Sequence, residues 1–256
     1  MVLPRHFTCA SCNLRYDEPK DAFAWAERKK ILAAFILKKK PDVLATQEGW
    51  KPQLYELLKL IQNEYQIADA HRDYRDKKMY PALFVRKDWD ILHTTDRWLS
   101  ETPTIMGSTS FGSQWPKLAC FAQLQHRDSS QPIVTSSFHL DNVSSAARPQ
   151  QAQVLLRQLP LIYPKANNIF IMGDANDLKN AASIQQFLNN GFLDPFEGQE
   201  DFITFHDFGK LEHGARIDYI FYRSQNYIAT NTFVDYRLEK FYSDHYYLST
   251  DFILTQ

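Results

Sequence analysis

The feature that most restricts how this chain folds is Ile169-Phe170-Ile171-Met172, four apolar residues in a row between Asn167-Asn168 and Gly173. A run this short, bounded by polar residues and a glycine, reads as a strand buried on both faces. Gly173 lets the chain turn without a side-chain clash. Directly beyond it stand a carboxylate and an amide, Asp174 and Asn176. If the chain is still extended there, both side chains point to one side and begin a polar site. Gly, Asp and Asn are also common turn residues, and taken alone the segment reads first as a turn. How many other strands end in the same way decides between the two.

In the N-terminal part, Phe7 to Leu14 reads as a strand ending in Ser11-Cys12-Asn13-Leu14-Arg15. Cys9 and Cys12 form a CxxC, but no second pair follows at zinc-finger spacing, and in a strand the two face opposite sides. They read as small buried apolar residues. Asp21 to Lys40 is expected to be helical: Phe23, Ala26, Ile31, Ala34, Phe35 and Ile36 interleave with Glu27, Arg28, Lys29 and Lys30 near the helical period. Lys38-Lys39-Lys40 suit the negative end of the helix dipole, and Pro41 stops the helix. Val43 to Thr46 is then a short buried strand running into Gln47-Glu48-Gly49-Trp50. Lys51 to Tyr65 reads as a helix with Leu54, Leu57, Leu58 and Ile61 on one face.

Further on, His71 to Lys78 is polar enough for a surface loop, and Ala82–Val85 with Asp90–His93 resembles a hairpin. Leu99 to Trp115 is a long irregular loop, of a length that is often functional. Leu118–Gln125 and Ile133–Phe138 are strands, the second leading into His139-Leu140-Asp141-Asn142. Helices are expected over Ala146–Leu161 and Ala181–Asn190, the latter ended by Gly191. Ile217–Tyr222 is a strand with Asp218 at its start, and Ser243-Asp244-His245 precedes the apolar strand Tyr246–Leu254. No repeat, low-complexity segment or linker divides the chain, so residues 1–256 are expected to form one domain.

The net charge of −1 supplies no global pull toward nucleic acid or an anionic membrane, so a substrate phosphate has to be held by local groups or a metal. No run of about 18 apolar residues marks a membrane span, and Met1 to Thr8 has no signal-peptide core. Three cysteines suggest no disulfide framework and favour a reducing compartment, which points to a cytoplasmic protein. Aromatic residues are plentiful, 18 Phe, 13 Tyr and 5 Trp, enough for a bulky core that needs neither a disulfide nor a structural metal.

Six polar clusters therefore lie beside buried strands: Asn13, Gln47-Glu48, His139-Asp141, Asp174-Asn176, Asp218 and Asp244-His245. Each alone is explained by a strand-end turn or a satisfied buried polar group. Together they are carboxylates, amides and imidazoles without a thiolate, which fits an oxygen site for a hard cation beside a general acid or base.

In this order the sequence resembles the endonuclease/exonuclease/phosphatase superfamily. The motifs are CNLR at Cys12–Arg15, TQEGW at Thr46–Trp50, FHLD at Phe138–Asp141, GDAND at Gly173–Asp177, RIDYIF at Arg216–Phe221 and SDHYYL at Ser243–Leu248. WLSETP at Trp98–Pro103 is similar to a mostly bacterial, DNase-like subgroup of undefined substrate. The resemblance implies an α/β fold, a DNase I-like four-layer α/β sandwich of two packed mixed, mostly antiparallel sheets flanked by helices. It implies phosphodiester or phosphomonoester hydrolysis by in-line attack of water, assisted by Mg²⁺ with Mn²⁺ as a substitute. Glu48 would bind the metal, with Asn13 and Asp244 contributing. Asp174 and Asn176 would orient water and phosphate, Asp218 and His245 would form a carboxylate–imidazole pair, and His139 would contact a non-bridging or leaving oxygen. Asn13, Asp141 and Lys117 are assigned to the substrate. Which histidine is base and which acid stays open.

The chain departs from exonuclease III-type relatives in carrying Arg15 where they have a carboxylate, and in having His139 at all. It carries Lys117 where the subgroup often has Arg; Lys neutralises phosphate but lacks the two-pronged geometry. The expected substrate is a phosphorylated small molecule or a single-stranded nucleic acid, with Trp50, Trp98, Trp115 and Tyr80 available for stacking. The alternatives are a duplex-DNA endonuclease and a catalytically silent binding protein on the same scaffold.

Overall fold

Phe170 and Met172 point one way from their strand and Ile169 and Ile171 the other, and all four are buried. The structure is a computed structural model that describes residues 5–199, 202–211, 213–236 and 241–255. The first four residues of the Met1–Thr8 stretch lie outside the described residues.

Six strands form one sheet: β1 (His6–Asn13), β2 (Val43–Gly49), β3 (Tyr65–Ile67), β4 (Tyr80–Arg86), β10 (Tyr227–Val234) and β11 (Leu248–Leu254), in the order β10-β11-β1-β2-β4-β3. The second sheet runs β5 (Trp89–Trp98), β6 (Leu118–His126), β7 (Ile133–His139), β8 (Asn168–Asp174) and β9 (Asp218–Ser224). The parallel pairs are β1 with β2 and β7 with β8. Each is joined through a helix, α1 (Trp25–Lys39) and α3 (Ala147–Ile162) respectively, as a parallel connection requires. With α2 (Lys51–Ile61) and α4 (Ala182–Asn189) the chain makes the four-layer α/β sandwich that the resemblance implies.

Three apolar layers hold it together. The inner one joins the sheets, with the Phe7 and Phe170 rings meeting edge-on at 5.0 Å and Phe170 and Phe252 at 4.7 Å. The other two layers seat α1 and α2 on the first sheet and α3 and α4 on the second. Cys9 belongs to the inner layer and Cys12 to the outer one, and Cys9, Cys12 and Cys120 are free and buried. Among the described residues no helix is long and apolar enough to cross a membrane.

Some local expectations are corrected. The helix expected from Asp21 begins at Trp25, because Ala24 is extended (φ −64°, ψ 143°). The helix expected to reach Tyr65 ends at Ile61, and Tyr65 starts β3, its hydroxyl donating to the Pro41 carbonyl at 2.8 Å. The segments read as a hairpin are consecutive strands of different sheets: β4 pairs with β2 and β3, and β5 with β6. β4 is buried on both faces and belongs inside a sheet, whereas β5 is a half-exposed edge. Gly173 does not make the turn either. It lies within β8 opposite Phe138 and Tyr219, where a Cβ would overlap the carbonyl oxygen of Phe138. Its role is close approach of backbones.

Candidate active site

The two sheets deliver polar side chains to one end of the sandwich. In the second sheet His139, Asp174 and Asp218 are register partners across β7, β8 and β9, so their side chains share a face. In the first sheet Asn13 ends β1, and Glu48 sits in an irregularity between Thr46 and Gly49 with φ +62°. Left-handed backbone is uncommon for such a residue, and a bulge of this kind re-aims a side chain. The Glu48 carboxylate accepts from Asn13 Nδ2 at 3.3 Å and from the Tyr16 N–H at 3.2 Å. Asn13 Nδ2 also donates to Asp174 Oδ2 at 3.0 Å, so one amide ties the sheets together.

Two imidazoles complete the group. His245 Nδ1 shares a hydrogen with Asp218 Oδ2 at 2.8 Å, and its Nε2 is 3.9 Å from Asp174 Oδ2. His139 Nε2 approaches the same oxygen at 3.7 Å. Thr204 Oγ1 accepts from the N–H groups of Ile217 and Asp218, both at 3.0 Å, and so fixes the start of β9. Ligand atoms of Glu48, His139 and Asp174 lie within 4.8 Å of one another, as do those of Asp174, Asp218 and His245. His139 Nε2 and Asp218 Oδ1 are buried without a hydrogen-bond partner. Orphaned polar atoms among hard oxygen donors fit a divalent cation with few protein ligands.

Burial sets opposing ionisation states. It raises Asp174 to about 7, with the nearby Asp218 carboxylate adding to the rise. It would lower His245, but the Asp218 carboxylate outweighs it and lifts that imidazole to about 10. His139 is held well below the ordinary histidine value by burial, then by Lys117 and His245. At neutral pH one imidazole is therefore charged and the other neutral.

Of the sequence-predicted residues, Asn13, Glu48, His139, Asp174, Asp218 and His245 come together. Asn176 lies beside them, but the chain past Asp174 is not extended. Asn176 has φ +51°, its N–H donates to Asp174 Oδ1 at 2.8 Å and its amide to the Leu140 carbonyl at 3.1 Å, so turn and site coexist. Asp141 is turned to Ser113 Oγ (2.6 Å) and to the N–H groups of Val143 and Ser144, where it shapes the loop before α3. Asp244 faces Arg15 Nε at 3.7 Å and is in neither ligand group. Lys117 lines the mouth and donates to Asn142 Oδ1 at 3.2 Å. Tyr80, expected as a stacking surface, is 2% exposed and packs in the core.

A cleft of about 650 Å³ opens above Glu48 and His139. Among the described residues its walls carry Trp50, Trp98 and Trp115, and five cations, Arg15, Arg75, Lys77, Lys78 and Lys117, against the single acid Glu48. Arg75, Lys77 and Lys78 come from the stretch read only as a polar surface loop.

Arg28 was also missed. Its five N–H donors reach five backbone carbonyls, those of Phe23, Leu14, Tyr242, Arg15 and Tyr16. It thereby joins the end of β1, the turn that presents the Tyr16 N–H to Glu48, and the segment leading to His245. Its signal was present: with Trp25, Leu32 and Phe35 it falls on the buried stripe of α1. Arg28→Lys leaves at least two of those carbonyls unpaired, and urea denaturation is expected to show a loss of about 2–5 kcal/mol. An unchanged midpoint would rule out this role.

A model of the Endonuclease/Exonuclease/phosphatase family matches residues 10–245. No curated protein sequence matches the chain. Among solved structures, an endonuclease/exonuclease/phosphatase from Bacteroides vulgatus superposes with a TM-score of 0.89 at 24% identity, over 98% of this chain and 99% of that one. A mannosyl-6-phosphatase from Bacteroides thetaiotaomicron gives 0.84 at 24% identity, over 96% and 99%. TDP2 from D. rerio, complexed with single-strand DNA product, gives 0.75 at 20% identity, over 97% and 99%. At these identities the likeness is one of fold.

Proposed function

Because the chain belongs to the endonuclease/exonuclease/phosphatase family, we propose that it is a divalent-metal-dependent phosphoesterase acting on a small or single-stranded phosphorylated substrate. The observation that carries this reading is the meeting of Glu48, Asp174 and the Asp218–His245 pair in two ligand groups that share Asp174, beside a cationic cleft that Glu48 and His139 line. Mg²⁺ or Mn²⁺ held by Glu48, with Asn13 beside it, would neutralise charge on the phosphorus oxygens.

The protein's own groups supply the rest. Asp174, raised to about 7, is close to the working pH at which a general base is most effective, and takes the proton of the attacking water as the opposite P–O bond breaks, the leaving oxygen taking up a proton from solvent. Asn13 Nδ2 and the Asn176 N–H fix its two oxygens. His245 is an imidazolium held through Nδ1 by Asp218, and from Nε2 it donates to a phosphoryl oxygen as negative charge accumulates there. His139, neutral and without a protein partner at Nε2, contacts a second oxygen. Lys117 adds a point charge at the mouth.

The test is hydrolysis of a panel of generic phosphomonoesters and phosphodiesters. We expect turnover of at least one, lost in chelator and restored by Mg²⁺ or Mn²⁺; no hydrolysis across the panel would exclude the assignment. A duplex-DNA endonuclease would instead lose binding steeply with added salt.

A further inference from the structure

We propose that the cleft selects a small substrate carrying a second phosphate besides the one hydrolysed, and that Arg75, Lys77 and Lys78 hold this second group. The inference rests on the hydrolase reading above. Its starting point is a charge imbalance. The whole chain has a net charge of −1, yet among the described residues the cleft wall presents five cations and one acid. That acid, Glu48, is already engaged by Asn13 and the Tyr16 N–H.

The five cations are not equivalent. Arg15 is committed to Asp21 through two bonds of 2.9 and 3.0 Å. Lys117 faces the carboxylates of Glu48, Asp174 and Asp141. Arg75, Lys77 and Lys78 form no ion pair among the described residues. Arg75 donates from Nε only to Met106 Sδ, at 3.1 Å. A thioether is a weak acceptor, so a five-donor guanidinium is left for an anion.

The loop that carries these cations is anchored. Next to Arg75, Arg72 is buried and makes a two-pronged pair with Asp96 of β5 at 2.8 and 2.6 Å. Tyr80 accepts the Arg75 N–H at 2.8 Å. On the far side Arg75 packs against Gly107, where an added Cβ would stand 3.2 Å from its guanidinium. A loop whose backbone is held at Arg72 and Arg75 before the ligand arrives avoids part of the ordering cost of binding. One phosphate over Glu48 is served by His139, His245, Lys117 and a metal, which leaves the Arg75 group for another anion. The cleft is of a size for a drug-sized ligand and far larger than a lone phosphate. The net charge of −1 gives no general pull toward a polyanion, which favours a small ligand over a duplex.

The experiment compares matched pairs, glucose 1,6-bisphosphate with glucose 6-phosphate and adenosine 3′,5′-bisphosphate with adenosine 5′-monophosphate. It reads kcat/KM for turnover and calorimetric affinity for binding, and the two pairs separate a sugar from a nucleotide body. In at least one pair the bisphosphate should be favoured by about tenfold or more. Arg75→Ala/Lys78→Ala should remove most of that preference. Lys77→Glu, which leaves the anchored Arg75 in place, should reduce it as well. Equal values in both pairs, or a preference that survives these substitutions, would overturn the inference while any turnover keeps the hydrolase reading. A binding preference with no turnover would keep the inference and overturn that reading alone.

Discussion

Glu48→Ala is expected to lower kcat/KM for metal-dependent phosphoester hydrolysis by about three orders of magnitude or more. Among the described residues Glu48 is the one carboxylate that lines the cleft, and both of its oxygens are already aimed by neighbours, Asn13 Nδ2 and the Tyr16 N–H. Alanine keeps the chain but not the charge, and it inherits a left-handed backbone (φ +62°) that suits it no better. Glu48→Gln is the sharper companion, since it retains an acceptor for Asn13 while removing the negative charge. Both variants should lose calorimetric Mg²⁺ binding and still melt cooperatively. Near-native turnover in either would exclude Glu48 as the metal's anchor.

Asp218→Asn should reduce kcat by about 10²–10⁴ with a smaller effect on KM, because the His245 ring loses the partner that fixes its tautomer and its charge. His245→Ala should likewise abolish activity. The same pair governs alkaline stability, and the sign follows from the direction of the shift. In the folded chain His245 is raised from 6.5 to about 10. The pair's contribution to stability is therefore fully present below about 6.5 and declines as pH rises toward about 10. Unfolding free energy measured across that window should fall in the wild type with a slope of one proton, and the slope should vanish in Asp218→Asn. An identical slope in both proteins would show that His245 does not carry this charge.

The layers of the fold were legible because their strands are short apolar runs that keep to one period, as Ile169–Met172 does. The clustering of the candidate site was legible because polar side chains recur where those runs stop, at Asn13, His139, Asp174 and Asp218. What stayed hidden depends on partners far away in sequence. Nothing local reveals that Glu48 occupies a bulge, since that irregularity arises from pairing with β4. Nothing near Asp244 announces that it faces Arg15 and stays outside both ligand groups. The apparent hairpin misled because its two strands are close in sequence while their burial differs, and burial decided which sheet each joined. Arg28 was visible as a position but not as a function, because an arginine on an apolar stripe makes sense only once five carbonyl oxygens are seen to converge on it.

His139, Asp174 and Asp218 are adjacent rungs of one hydrogen-bonded ladder, while Arg75, Lys77, Lys78 and Trp115 ride on loops. On the proposed reading, bond cleavage and guest selection would be fastened to parts of the molecule with different local stability. Amides along the ladder should exchange with deuterium only when the whole sheet comes apart, and those of the rim far sooner. Loop sequence is then free to change which guest is admitted, and the rungs keep their spacing while it does.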